Sequence, residues 1–115
     1  MKARAVESLA IGEDDLFEMA NFHPRTTGLH FVVWFSGDPI VRHYRPRGKV
    51  RVGDEFYPFS LDAPVEWLAV PAPGINSKAF AELTRFIELN RPALLAYWNG
   101  QIDTSELASR LQAIR

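Results

Sequence analysis

The sequence of 115 residues contains no cysteine. This absence excludes disulfide bonds, thiolate zinc sites and cysteine nucleophiles, and with them whole classes of enzyme. The sequence also has no run of about eighteen apolar residues that could cross a bilayer, and its charged N-terminus lacks the apolar segment of a signal peptide. We therefore predict a soluble, cytoplasmic protein.

Motifs for nucleotide binding and hydrolysis are also absent. The chain has no glycine-rich phosphate loop and no Ser, Asp and His arrangement around a nucleophile elbow. Adjacent acids occur at Asp14-Asp15 and Asp54-Glu55, where a helix start and a hairpin turn account for them. We expect no cofactor, and these absences favour a binding function over catalysis.

Hydrophobic residues make up 47% of the chain, which suffices for one ordinary core at this length. We predict a single domain over residues 1–115, in which residues 1–20 form a peripheral arm or a helix. The acids Glu13, Asp14 and Asp15 precede an apolar stretch, and this order favours a short helix that includes Met19 and Ala20.

The strongest strand signal is His30–Phe35, which is rich in β-branched and aromatic residues and shows no polar alternation. We predict a central strand covered on both faces, entered from a polar loop at Asn21–Gly28. A turn at Ser36–Pro39 and a returning segment at Ile40–Tyr44 follow. Arg45–Gly48 has the proline and glycine spacing of a further reversal or bulge.

A hairpin is predicted between residues 49–52 and 55–61, because Gly53-Asp54 is typical of a two-residue turn. Its register places Val50 opposite Tyr57 on the core side. The other face then carries two basic and two apolar residues, namely Lys49, Arg51, Phe56 and Pro58.

The C-terminal third shows helical periodicity, with apolar residues three and four positions apart between residues 79 and 87. Ser77 is the predicted N-cap. Pro92 lacks a backbone donor, so we predict that this helix ends or kinks near Leu89–Arg91 and that Asn90 caps a second, short helix.

Asp103 and Glu106 have the spacing of a capping box for a last helix. Its buried positions are predicted at Leu107, Leu111 and Ile114. A further strand is predicted at Trp67–Val70. The whole pattern predicts an α+β protein, with an antiparallel sheet of four to five strands and two to three C-terminal helices packed on one face.

Basic residues are concentrated ahead of the hairpin and within it, although the net charge of the chain is only −1. This basic ribbon comprises Arg42, Arg45, Arg47, Lys49 and Arg51. Beside Tyr44 and Phe56, it predicts a nucleic-acid surface in which cations neutralise phosphates and aromatic rings stack on bases. The alternative is a solvated hairpin whose charges protect an edge strand from aggregation.

The loop around His23 suggests a second function, a small metal-independent ribonuclease. Such an enzyme needs a base, an acid and a cation, and the weak candidates for these roles are His23, Arg25 and His43, with Tyr44 and Arg42 beside them. The same loop residues also serve ordinary turns. The spacing of the three histidines does not suit a metal site, so we predict none.

A third hypothesis is a protein-interaction module. The chain has three tryptophans and eight phenylalanines, and aromatic residues are enriched at interface hot spots together with arginine. Tyr44 and Phe56 are the candidate contact residues. The alternative is a core unusually rich in aromatic side chains.

Four segments carry a resemblance: Asn21–Leu29, Phe31–Trp34, Ile87–Arg91 and Tyr97–Thr104, which read NFHPRTTGL, FVVW, IELNR and YWNGQIDT. They resemble a group of small uncharacterised bacterial proteins and are distantly similar to a domain-of-unknown-function family often encoded beside predicted antitoxins. The resemblance implies a bacterial protein in a toxin–antitoxin, phage or defence setting. Among the three hypotheses we favour a protein partner, then nucleic acid, then catalysis.

Overall fold

The computed structural model describes residues 18–37 and 45–114. Four strands form one antiparallel sheet in the order β1-β2-β3-β4. They are β1 (Glu18–Phe22), β2 (Val33–Gly37), β3 (Arg47–Val52) and β4 (Glu55–Ser60). The helices are α1 (Pro24–Thr27), α2 (Ser77–Trp98) and α3 (Thr104–Arg110). A four-stranded antiparallel sheet with two C-terminal helices confirms the α+β prediction.

The β3–β4 hairpin forms in the predicted register. Val50 lies opposite Tyr57, and Gly53 has the positive φ of 63° that a two-residue turn requires. Val50 is fully buried, whereas its neighbours Lys49 and Arg51 lie on the opposite face. The hairpin therefore separates a core face from a basic face.

Two strands differ from their predictions. Met19 and Ala20 belong to β1 and not to a helix, because Ala20 pairs with Phe35 and becomes buried in the core. The strand predicted at His30–Phe35 begins only at Val33, the first residue opposite Phe22. Pairing with a neighbouring strand overrides local propensity in both cases.

The reversal or bulge predicted at Arg45–Gly48 is wrong, since Arg47 and Gly48 lie inside β3 and pair in continuous register with Ser60 and Phe59. Gly48 has a packing role there. A β-carbon at this position would lie 2.7 Å from Phe59 and 2.8 Å from Phe35, so the absence of a side chain lets the two rings pack over the strand. The predicted turn at Asp38-Pro39 and return to Tyr44 lie outside the described residues, as does the predicted helix start at residues 13–17.

The strand predicted at Trp67–Val70 is reduced to an isolated bridge between Trp67 and Phe59. Two backbone hydrogen bonds flank it, from Ser60 N to Glu66 O at 2.9 Å and from Leu68 N to Pro58 O at 2.9 Å. They cover the outer edge of β4 where Pro58 has no N–H to offer, so this part of the edge is protected from pairing with another chain.

Helix α2 runs without interruption through Pro92, which corrects the predicted end near Leu89–Arg91. Residues on both sides of the proline are buried in the same core, and this packing outweighs the loss of one intrahelical hydrogen bond. The N-cap is Asn76 and not Ser77, because the Asn76 side chain accepts a hydrogen bond from Ala79 N. Asn90 caps no helix.

Helix α3 begins at the predicted capping residue, since Asp103 Oδ1 accepts a hydrogen bond from Glu106 N at 2.8 Å. It ends at Arg110, however, and residues 111–114 are not helical. Ile114 is still buried, because its N–H donates to Thr27 O at 2.9 Å and ties the chain end to α1.

The core lies between the sheet and α2. Strand residues on its sheet side include Val33, Phe35, Val50 and Phe59, and helix residues include Leu83, Phe86, Ile87 and Leu94. Within residues 18–37 and 45–114, no helix is long and apolar enough to cross a membrane.

Candidate binding face

Strand alternation places four residues of the hairpin and of β2 on the sheet face opposite the core. In the strand register Lys49 lies beside Trp34, and Arg51 lies beside Phe56. We call the surface formed by Trp34, Lys49, Arg51 and Phe56 the aromatic-basic face. Antiparallel pairing brings these side chains together because cross-strand neighbours on one face are only about 5 Å apart.

Trp34 and Phe56 are the aromatic centre of this face. Their ring centroids are 5.6 Å apart and their planes are perpendicular, an edge-to-face arrangement. Both side chains are half-buried, but neither belongs to the core cluster or packs against it. The predicted alternative of an aromatic core therefore explains Phe35 and Phe59 but not these two rings.

Two cations lie against the ring of Phe56. Lys49 Nζ is 4.9 Å from the ring centroid, and Arg51 Cζ is 5.9 Å from it. At these distances the positive charges are attracted by the electron-rich ring face. The cations are therefore held beside the aromatic pair.

The indole nitrogen of Trp34 has no hydrogen-bond partner, although it is buried. An indole has one donor, so the polar group of this side chain is left wholly unsatisfied. An unmade hydrogen bond of this kind costs about 1–3 kcal/mol. Arg91 Nη2 is also buried without a partner, but its neighbouring Nε donates to Leu61 O at 2.7 Å.

Arg45, predicted to contact nucleic acid, points instead to the acidic segment that follows β4. Its Nε is 2.8 Å from Asp62 Oδ1, and its Nη1 is 2.6 Å from Glu66 Oε2. The hydrogen bonds to Glu66 and to Asp62 raise the pKa of Arg45 above its usual value. Two carboxylates of the same chain thus neutralise this guanidinium.

The other residues that were predicted to contact phosphate differ in their surroundings. Arg47 Nε donates to Arg45 O at 3.0 Å, so part of its guanidinium is bound within the chain. Arg51 Nε donates to Gly53 O at 2.8 Å, and its Nη2 lies 3.5 Å from the exposed carboxylate of Asp54. Of the basic ribbon, Lys49 and Arg51 join the aromatic-basic face. Arg42, His43 and Tyr44 lie outside the described residues.

His23 and Arg25, the catalytic candidates, sit together at α1. Both side chains are exposed, and with Pro24 and Thr26 they line an open depression of about 490 Å³. The backbone of His23 accepts from Thr26 N at 2.8 Å, so this residue shapes the turn into α1. No group of three or more His, Asp or Glu able to hold a metal occurs among the residues that the structure describes.

Sequence reasoning missed Trp34, which it placed in a strand covered on both faces. A usable signal was present, since the hairpin register already put Lys49 outward and an antiparallel neighbour of Lys49 must share its face. Phe56, in contrast, was predicted as a contact residue and does lie on this face.

The chain matches no protein-family model, no curated protein and no solved structure. The resemblance stated above therefore stays a prediction.

Proposed function

We propose that this chain is a small bacterial protein-interaction module of a toxin–antitoxin, phage or defence-related system, which acts in the cytoplasm. Its protein partner binds the aromatic-basic face. The observation that carries the proposal is that Trp34 and Phe56 pack on each other outside the core, with Lys49 and Arg51 beside them.

Large aromatic side chains outside the core suit an interface. Tryptophan, tyrosine and arginine dominate the few residues that carry most of the binding energy at protein interfaces. Trp34 is already held by its strand neighbours and by the Phe56 ring, so little side-chain freedom is lost when a partner covers it. A partner would bind mainly to this aromatic pair and would contact Lys49 and Arg51 at the edge of the interface.

The same geometry favours a protein over a nucleic acid. Base stacking needs an open ring face, but Trp34 and Phe56 are perpendicular and Phe56 is flanked by two cations. Phosphate binding needs several cations that release counterions, whereas Arg45 is already neutralised by Asp62 and Glu66. Nucleic-acid binding and the ribonuclease hypothesis based on His23 and Arg25 are therefore ranked below a protein partner.

Affinity capture from a lysate of the bacterial host tests this proposal. The bait is compared with the double variant Trp34→Ala/Phe56→Ala and with the control Val70→Ala/Leu89→Ala, which truncates two large apolar residues that are exposed elsewhere in the described part of the chain. Far-UV circular dichroism and thermal unfolding establish that all three proteins are folded.

We expect a partner that the wild type and the control retain and that the double variant binds at least about tenfold more weakly, because hot-spot truncations cost about 2 kcal/mol or more. A partner retained equally by all three proteins would show that another surface binds it. Binding to single-stranded RNA and duplex DNA across a salt series is measured in parallel, and a steep salt dependence lost in the double variant would favour the nucleic-acid alternative.

A further inference from the structure

We infer that the chain has a second peptide-binding site, which its own residues 111–114 occupy in this structure. We call these residues the strap, and the surface of α1 and α2 beneath them, formed by Thr27, Gly28 and Asn90, the strap groove. An extended segment of a partner, with an aliphatic side chain at the position of Ile114, displaces the strap. Helix α2 packs on the core side of the sheet, opposite the aromatic-basic face, so the inference does not depend on the proposed function.

The strap groove contacts the main chain of the strap at two positions. Leu111 leaves α3 with extended backbone angles, φ −65° and ψ 136°. Asn90 Nδ2 then donates to Gln112 O at 2.9 Å, while Asn90 Oδ1 accepts from Gln112 N at 2.8 Å. Two residues further on, Ile114 N donates to Thr27 O at 2.9 Å. Because almost every residue carries the same backbone groups, an extended segment of different sequence can make these contacts.

The groups that contact the strap are held in place by other parts of the chain. Asn90 Nδ2 also donates to Phe86 O at 3.0 Å, one turn earlier in α2. The hydroxyl of Thr27 accepts from Leu29 N at 3.0 Å, which fixes the turn that presents Thr27 O. These bonds do not involve the strap. The groove therefore keeps its shape when the strap leaves, and a ligand does not have to order it on binding.

The groove selects one side chain and otherwise accepts backbone. A β-carbon on Gly28 would collide with Ile114 O, so the glycine lets the main chain of the strap lie directly on α1. The side chain of Ile114 is buried, whereas Gln112 is exposed and Ala113 is half-buried. The position of Ile114 thus requires an apolar residue, and the two preceding positions do not.

The strap does not fill all of the space beside it. An open cleft of about 190 Å³ is lined by Leu89, Asn90, Pro92, Ala93, Arg110 and Gln112. Leu89 remains 44% exposed there, although it is a large apolar side chain. A partner segment with an apolar residue in place of Gln112 would bury apolar surface that the strap leaves open. This difference lets the partner compete with a segment of the same chain.

Native-state hydrogen exchange of the full-length wild type tests whether the strap detaches. We expect the amides of Gln112 and Ile114 to exchange through a local opening that leaves the amides of α2 protected. Their exchange should then depend little on urea at concentrations that do not unfold the protein. Equal protection of the strap and of α2 would overturn the inference, because the strap would then leave only on global unfolding.

Peptide binding is measured by ¹H–¹⁵N spectra of the wild type and of Ile114→Ala, which weakens the strap and keeps the groove residues. The probe acetyl-Arg-Leu-Gln-Ala-Ile-amide copies residues 110–114. It should bind Ile114→Ala at least about tenfold more tightly than the wild type, because a weakened strap occupies the groove less often. A counterpart with Leu in place of Gln should bind more tightly still, and one with Asp in place of Ile should bind neither protein.

Esters in place of single amide groups are the matched controls, since each removes one N–H and keeps the shape of the peptide. An ester at the Gln or at the Ile position should weaken binding to Ile114→Ala at least about fivefold, because those N–H groups donate to Asn90 and Thr27. An ester at the Ala position should have less than about a twofold effect.

Equal effects of the three esters would overturn the inference, since the groove would then not recognise the peptide backbone at these two positions. Equal affinity of the wild type and Ile114→Ala would do the same, as would the absence of saturable binding to Ile114→Ala. A Leu counterpart that binds no more tightly than the copy of residues 110–114 would also refute it, because a partner would then have no advantage over the strap.

Discussion

The side-chain amide of Asn90 binds both backbone groups of Gln112. Asn90 Nδ2 donates to Gln112 O at 2.9 Å, and Gln112 N donates to Asn90 Oδ1 at 2.8 Å. A side chain in the middle of α2 thus holds the segment that follows α3, although the sequence suggested that Asn90 starts a helix.

Replacement of Asn90 by Ala should lower the free energy of unfolding by about 2–4 kcal/mol, because the two backbone groups of Gln112 lose their partners at a mostly buried site. Urea denaturation measures this change. Gln112→Ala is the matched control, since the contact uses only the backbone of Gln112. An equal loss in both variants would contradict the pairing.

Gly28 and Gly74 share a φ of 83° but differ in their surroundings. A β-carbon on Gly28 would collide with the carbonyl oxygen of Ile114, whereas one on Gly74 would meet nothing within 4 Å. We therefore expect Gly74→Ala to cost about 1 kcal/mol of backbone strain and Gly28→Ala to cost about 1–3 kcal/mol more, through the displaced chain end. Thermal unfolding of the two variants gives the difference directly.

The hydroxyl of Ser60 organises the segment that carries the acids bound to Arg45. Ser60 Oγ donates to Pro64 O at 3.0 Å and accepts from Glu66 N at 3.0 Å, and the residue is fully buried. Ser60→Ala should cost about 1–3 kcal/mol, because it leaves those two groups without this partner.

Chemical denaturation measures the loss in Ser60→Ala. Ser109→Ala is the control, as Ser109 Oγ bonds to Glu106 O at an exposed site and its loss should change stability by no more than about 0.5 kcal/mol. A loss in Ser60→Ala as small as that of the control would count against the Ser60 network.

Pro92 is exposed within a continuous helix, so its ring contributes little to packing. Pro92→Ala restores a backbone donor toward Glu88 O, and we expect it to raise the free energy of unfolding by about 1–3 kcal/mol. Pro73→Ala in the turn before α2 is the comparison. It should slightly lower stability, because removing a proline raises the conformational entropy of the unfolded chain. A destabilised Pro92→Ala would show that the proline is needed for packing.

Arg45 and Arg51 should differ in their effect on binding. Arg45 forms ion pairs with Asp62 and Glu66, while Arg51 lies beside the Phe56 ring. We expect Arg51→Gln to weaken binding of the captured partner protein about three- to tenfold and Arg45→Gln to leave it unchanged. Isothermal titration calorimetry compares the two variants. A larger effect at Arg45 would show that the partner binds near Asp62 and Glu66 and not at the aromatic-basic face.

The sequence alone determined the features that depend on neighbours a few residues apart. The hairpin at Gly53-Asp54, its register and the cap at Asp103 all follow from turn and capping chemistry, which acts within about four residues. Alternation along the hairpin strands also placed Lys49, Arg51 and Phe56 on one side, because side chains of a strand alternate between faces.

Only the tertiary structure decided the outcomes in which distant segments compete. Pairing with β2 made a strand of Met19 and Ala20, and burial on both sides of Pro92 kept α2 whole. Arg45 pairs with the carboxylates of Asp62 and Glu66, which lie 17 and 21 residues away, and no local sequence pattern predicts this pairing. Trp34 lies on the sheet face opposite the core for the same reason, since the partner elements that cover one face of a strand are set by packing and not by the strand's own composition.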